Sequence, residues 1–77
     1  MGTRFPNANY RQVAKVARRL GFYLLRSGKG SHEVWKRDSD NLFTTLPNHG
    51  TKSLKRKTLK SILEDLKISP EEFLKLK

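Results

Sequence analysis

The sequence has no cysteine among its 77 residues. Disulfide bonds, thiolate zinc sites and a nucleophilic thiol are therefore excluded. A chain of this length buries only about 60–65% of the surface that its unfolded form exposes, so its core is thin. We expect one small domain over residues 1–77, with residues 1–8 as a flexible N-terminal extension. Its functional site should be a surface groove and not a deep pocket.

Long apolar runs are also lacking. No stretch approaches the ~20 apolar residues that a membrane-spanning helix needs, and the first residues contain no apolar run of signal-peptide length. We expect a soluble, cytoplasmic protein with no membrane partner.

Acidic residues are scarce, with seven Asp and Glu against 17 Lys and Arg, which gives a formal net charge of +10. So large an excess favours a polyanionic partner, and nucleic acid is the first candidate. An anionic membrane surface, an acidic protein and a basic surface without function are the alternatives at this point.

The apolar pattern predicts two main helices. Asn9 followed by Gln12 is typical of a capping box, and Gly21 suits the end of the first helix. A second helix should begin between residues 53 and 58, and residues 69–73 should open a short helical turn. Apolar residues recur with helical spacing in two stripes: Val13, Val16, Ala17 and Leu20, then Leu59, Ile62, Leu63 and Leu66.

Three short strands are predicted between these helices, over residues 22–25, 31–37 and 42–46. The class is therefore α+β, with a three-stranded antiparallel sheet and two helices packed on one face. The sequence leaves open which face of the second strand is exposed. If Trp35 is in the core, His32 and Lys36 point outward, because side chains alternate along a strand.

Several motifs are incomplete. The "GKGS" stretch at 28–31 precedes a strand and lacks the first half of a phosphate-binding loop, so it predicts a hairpin turn. The "DSDN" stretch at 38–41 lacks the glycine and glutamate of a calcium loop. His32 and His49 are two ligands without a third. We expect no metal site and no cofactor.

His32 is a candidate for proton transfer, since the ordinary pKa of histidine is about 6.5. RNA carries its own nucleophile, the 2′-hydroxyl, so a general base with nearby cations can cleave it without a metal ion. His32 at a strand start beside Lys29 and Lys36 supplies such groups. From the residues alone, a structural or idle histidine is the alternative.

The sequence resembles the HicA family of toxins in five stretches that share the order and spacing of the family pattern. These are Leu20-Gly21-Phe22, Gly30-Ser31-His32, Pro47-Asn48-His49, residues 58–63 ("TLKSIL") and residues 69–73 ("SPEEF"). The chain departs from the pattern at Glu33, Asn48 and Lys57, where the family often has other residues.

The resemblance implies a fold like that of a double-stranded-RNA-binding domain, in the order α-β-β-β-α. It also implies a small endoribonuclease that cleaves mRNA and arrests translation, with His32 as the catalytic residue. A cognate antitoxin of the HicB type would bind this protein and shield that histidine.

We therefore predict a metal-independent endoribonuclease toxin, monomeric when free, in which His32 is the general base acting on single-stranded mRNA. His49 is either a general acid or a structural loop residue. The alternative is a non-catalytic RNA-binding module of the same fold. The residues predicted to contact RNA are Lys29, Ser31, Lys36, His49, Lys52, Lys55 and Lys57.

Overall fold

The structure, a computed structural model, describes residues 5–77. The elements follow the order α-β-β-β-α-α, and none of the helices in the described part of the chain is long and apolar enough to cross a membrane. The elements are α1 (Tyr10–Arg19), β1 (Tyr23–Ser27), β2 (His32–Arg37), β3 (Leu42–Pro47), α2 (Arg56–Leu66) and α3 (Pro70–Leu76).

The strands form one antiparallel sheet in the order β1-β2-β3. Trp35, in the central strand, is 1% exposed and lies in the core beneath the helices. Because side chains alternate along a strand, His32 and Lys36 are on the opposite, open face. The predicted α+β class and the likeness to a double-stranded-RNA-binding domain are confirmed.

The core lies between the helices and one face of the sheet. Both predicted helical stripes contribute to it, and α3 adds Phe73, which is fully buried. The largest side chains below 2% exposure come from five of the six elements: Val13, Val16, Trp35, Leu46, Leu59, Leu66 and Phe73.

The ends of the first strand and of the last helix differ from the sequence prediction. β1 begins at Tyr23 because Phe22 still belongs to the end of α1, where its amide donates to the carbonyl of Ala17 at 2.9 Å and its ring is buried. The pairing of β1 with β2 contains an irregularity at Leu25, which extends the strand to Ser27. The predicted helical turn near the C-terminus is a seven-residue helix.

The segment before α1 packs against the domain from residue 5 onward. Pro6 and Ala8 are buried, and the Ala8 carbonyl accepts from the amide of Leu54 at 2.8 Å. The Asn7 carbonyl accepts from the Lys77 ammonium at 3.0 Å. Residues 5–8 therefore contact the folded domain, residues 1–4 lie outside the described residues, and the flexible extension stays a prediction.

The helices begin in different ways. Asn9 and Ser69 each complete a capping box, with Gln12 and Glu72 respectively, so that amides in the first turns of α1 and α3 have side-chain partners. The N-cap of α2 is Lys55, and it provides no side-chain hydrogen bond. The amides in the first turn of α2 therefore lack a side-chain cap.

Lys67 ends α2 in the left-handed conformation, with φ of +62°. We expect Lys67→Gly to raise the free energy of unfolding by up to about 1 kcal/mol, because glycine avoids the steric cost of positive φ. The measurement is urea unfolding followed by circular dichroism.

The matched control is Lys60→Gly, in the exposed interior of the same helix. There the same change should lower the free energy of unfolding by about 1 kcal/mol, because glycine is a poor helix former. Two changes of the same sign would contradict the assigned end of α2.

Candidate active site

The pairing of β2 with β3 brings the two histidine-containing segments together. His32 is opposite Pro47 in the register, and the Ser31 carbonyl accepts from the amide of Asn48 at 2.8 Å. The pairing thus continues beyond the ends of both strands. His49 follows directly, so the start of β2 and the loop after β3 are held side by side.

His32 and His49 line a common surface groove of about 420 Å³, here called the histidine groove. Both imidazoles are on exposed residues. Two predicted RNA-binding lysines, Lys52 and Lys55, line the same groove. The remaining lining residues are Pro47, Ser53, Leu54 and Thr58.

Hydrogen bonds hold the loop between β3 and α2 at both of its ends and in its middle. The Asn48 side-chain oxygen accepts from the amide of Gly50 at 3.2 Å, and the carbonyl of His49 accepts from the amide of Lys52 at 3.2 Å. At its far end Leu54 donates to Ala8 at 2.8 Å, beside a bridge between Asn9 and Ser53. The His49 side chain is therefore carried on a structured loop.

Glu33 connects this loop to α1 from the helix side of the sheet. Its Oε1 accepts from the hydroxyl of Tyr10 at 2.6 Å and from the indole Nε1 of Trp35 at 3.2 Å. Its Oε2 accepts from the side-chain amide of Asn48 at 3.4 Å. Glu33 faces away from His32, as the alternation along the strand predicts. It contacts the loop that carries His49 through the side chain of Asn48.

The N-terminus of α2 lies at the histidine groove, because Lys55 is both its N-cap and a lining residue. The first turn contains Arg56 and Lys57 and no acidic residue. Cations are unfavourable there, since the helix dipole places partial positive charge at this end. An anion in the groove would be attracted both by the lysines and by the free amides of the helix.

The other predicted RNA-binding residues are dispersed. Lys29 is exposed in the β1–β2 turn, where its carbonyl accepts from the amide of His32 at 3.2 Å, and Ser31 contributes its carbonyl to Asn48. Neither side chain lines the histidine groove. Lys57 lines a neighbouring groove.

The structure does not bring Lys36 next to His32, and the RNA contact predicted for Lys36 stays a prediction. Both residues are on the open face, but they are four positions apart along the strand, which is about 13 Å. The Lys36 ammonium is 3.4 Å from the carboxylate of Asp38 and lies over the ring of Phe43. Lys36 is therefore ion-paired at the other end of β2.

Sequence reasoning missed four residues of the histidine groove: Pro47, Ser53, Leu54 and Thr58. Pro47 and Thr58 belong to the stretches that carry the family resemblance, which is a signal that could have identified them. Nothing in the pattern marks Ser53 and Leu54, because their place depends on the contact of their loop with residues 8 and 9.

Within residues 5–77, no group of three or more His, Cys, Asp and Glu side chains is arranged so that it could hold a metal ion.

Comparison with protein families identifies the chain. The sequence model of a family described as the HicA toxin of bacterial toxin–antitoxin systems matches residues 10–68, which is more than half of the chain. The chain belongs to the HicA toxin family. A search of curated proteins finds no match.

The region matched by the family model extends from the start of α1 to just beyond α2, and so it includes every residue of the histidine groove. As a HicA family member, the protein is assigned to the toxin side of a toxin–antitoxin pair.

The Tyr10–Glu33 contact makes the stability of this HicA toxin dependent on pH. Burial and the Glu33 carboxylate raise the pKa of Tyr10 from 10.0 to about 12. A raised pKa means that the contribution to stability is complete below pH 10 and is lost as the pH rises towards 12. We expect the free energy of unfolding to decline over this interval more steeply in the native protein than in Tyr10→Phe.

Chemical denaturation at pH 8, 10 and 11 measures this difference, and Tyr23→Phe is the comparison. The hydrogen bond to Asp38 also raises the pKa of Tyr23, but solvent screens that exposed pair, so Tyr23→Phe should change the pH dependence less than Tyr10→Phe does. Tyr23 is exposed and donates to Asp38 at the surface. Equal pH dependence of the native protein and Tyr10→Phe would show that the Tyr10 contact does not stabilise the fold.

Proposed function

We propose that this protein is an endoribonuclease toxin that cleaves mRNA without a metal ion, with His32 as the general base. The observation that supports the proposal is the histidine groove itself. It combines two exposed imidazoles, two lysines and the uncapped N-terminus of α2. The groove therefore offers groups suited to proton transfer and to phosphate binding on one surface.

The reaction follows from the chemistry of RNA. His32 removes the proton of the 2′-hydroxyl, and the oxygen attacks the adjacent phosphorus. The bond from phosphorus to the 5′-oxygen breaks as that oxygen takes a proton from His49, the general acid in this scheme. The products are a 2′,3′-cyclic phosphate and a 5′-hydroxyl, and no water or metal ion is consumed.

Phosphate binding is assigned to Lys52 and Lys55 together with the amides at the start of α2. Charge on the non-bridging oxygens increases in the transition state, and fixed cations and helix amides stabilise that charge. A general base contributes about 10²–10⁴-fold to a rate, so we expect modest turnover from this small, open site.

An antitoxin would act on this same surface. A HicB-type protein that covers the histidine groove would exclude RNA and shield His32. We propose a cytoplasmic location, because that is where the protein would meet mRNA and such a partner.

The decisive experiment incubates the purified protein with a synthetic mRNA in EDTA and resolves the products on a gel. We expect cleavage by the native protein and a loss of at least about 10²-fold in rate for His32→Ala. End-group analysis should find cyclic phosphate and 5′-hydroxyl termini. RNA binding and antitoxin binding by His32→Ala should be retained, which shows that the variant is folded.

His49→Ala tests the second imidazole in the same assay. If His49 is the general acid, the rate falls and the profile of rate against pH loses its alkaline limb. If neither the native protein nor a variant cleaves RNA while all of them still bind it, the non-catalytic RNA-binding module is the correct function.

The salt dependence of RNA binding tests the phosphate contacts. Replacing Lys52 and Lys55 by Gln should weaken binding and make the slope of log K against log salt shallower by about 1.4, or ~0.7 for each lost contact with a single strand. Fluorescence anisotropy with a labelled oligonucleotide gives the slope.

Lys36→Gln is the control, since that ammonium is paired with Asp38 away from the groove. It should leave the slope nearly unchanged. An equal effect of Lys36→Gln would show that RNA contacts the open face of the sheet as far as Lys36 and not the histidine groove alone.

A further inference from the structure

A second groove lies between β3 and α2, and its volume is about 520 Å³. It shares Thr58 with the histidine groove, so the two form adjoining parts of one surface. We call it the α2 groove. Its lining is Thr45, Lys57, Thr58, Ser61, Ile62 and Asp65.

One stripe of α2 forms a wall of this groove. Thr58, Ser61, Ile62 and Asp65 follow the i, i+3, i+4, i+7 spacing that places residues on one side of a helix. The side chain of Ile62 is buried, and the other three carry hydroxyl or carboxylate groups. From Thr58 to Asp65 the helix rises about 10 Å. A chain that leaves the histidine groove past Thr58 can therefore reach Asp65.

Asp65 is held in a defined position. Its Oδ2 accepts from the hydroxyl of Thr44 at 3.0 Å, and Thr44 is only 3% exposed. A carboxylate offers about four acceptor positions, so Asp65 keeps capacity for a further donor. The salt bridges within residues 5–77 join Lys36 to Asp38 and Arg37 to Asp40. Among the described residues, Asp65 is thus a negative group without an ion pair, in a groove that also contains Lys57.

A carboxylate in this place opposes binding of phosphate but suits the edge of a base. It accepts hydrogen bonds from an exocyclic amino group, such as N4 of cytosine, and repels the O4 carbonyl of uracil. We propose that the α2 groove binds a nucleotide that flanks the scissile phosphate, and that Asp65 selects a base with an exocyclic amino group there. The proposal rests on the proposed function for its substrate class, RNA, and assigns Lys57 to the phosphate of that nucleotide.

Binding of short homopolymers tests this selection without requiring cleavage. The His32→Ala protein is titrated with labelled oligocytidylate and oligouridylate of equal length, and the ratio of the two affinities is measured. Homopolymers present the same base in every register, so the position of the α2 groove along the strand need not be known. We expect oligocytidylate to bind about tenfold more tightly, the lower end of the range for base discrimination.

Asp65→Asn, added to this protein, should abolish or invert the preference. The amide oxygen can still accept from Thr44, while its nitrogen presents a donor to the groove. Asp65→Ala should bring the two affinities close to equality. The matched control is Glu64→Gln, which changes the net charge by the same amount on the neighbouring residue but lines a different groove, with Phe5 and Lys60. It should leave the ratio unchanged.

The outcomes separate the two proposals. A ratio that is unaffected by Asp65→Asn, or is affected equally by Glu64→Gln, overturns the selection by Asp65 whether or not the native protein cleaves RNA. A ratio that is lost only on replacement of Asp65 supports the selection even if no cleavage in EDTA is found and the protein is a binding module. If His32→Ala does not reduce cleavage, the proposed mechanism is contradicted. The selection by Asp65 is not affected by that result, because it is judged from the affinity ratio alone.

Discussion

The burial of Trp35 is the constraint on which the arrangement of the site depends. It fixes which face of the central strand meets the helices, and the two-residue period of the strand then determines every other position in β2. Glu33 and Arg37 share its face, where they bind the hydroxyl of Tyr10 and the carbonyl of Leu20. His32 is placed on the open side by the same alternation. A slip of one residue in the strand would bury the imidazole and expose the indole.

Local patterns predicted the fold well, and they predicted less of the site. Periodicity identifies α1 and α2, and capping residues identify the starts of α1 and α3, because these signals lie within one turn or one stripe of the element. The histidine groove depends on contacts between distant segments, such as Ser31 with Asn48 and Ala8 with Leu54. Lys36 shows the limit: the period and the rise of a strand give its face and its distance from His32, but they do not give its ion pair with Asp38.

The three helices differ in how their N-termini are capped, and the N-terminus of α2 is the least stabilised of them. Asn9 and Ser69 complete their caps, whereas Lys55 leaves the first amides of α2 without a side-chain partner and adds a charge of the unfavourable sign. Such an end is destabilising in the free protein, and the cost is offset when an anion binds. A feature that breaks a local rule at the edge of the histidine groove is best explained by what binds there.

The hydrogen bonds that hold the His49 loop have a consequence for inhibition under the proposed function. Two imidazoles can act on one phosphate only if their separation is maintained, and a loose loop would lose much of that advantage. Here the His49 loop is held from outside the groove, through Asn48 to Glu33 and from there to Tyr10. The groove is therefore formed before substrate arrives. Under the proposed function, a groove that needs no closing step is inhibited by a protein that covers it, and we expect the contact surface of such an antitoxin to include the approach to His32.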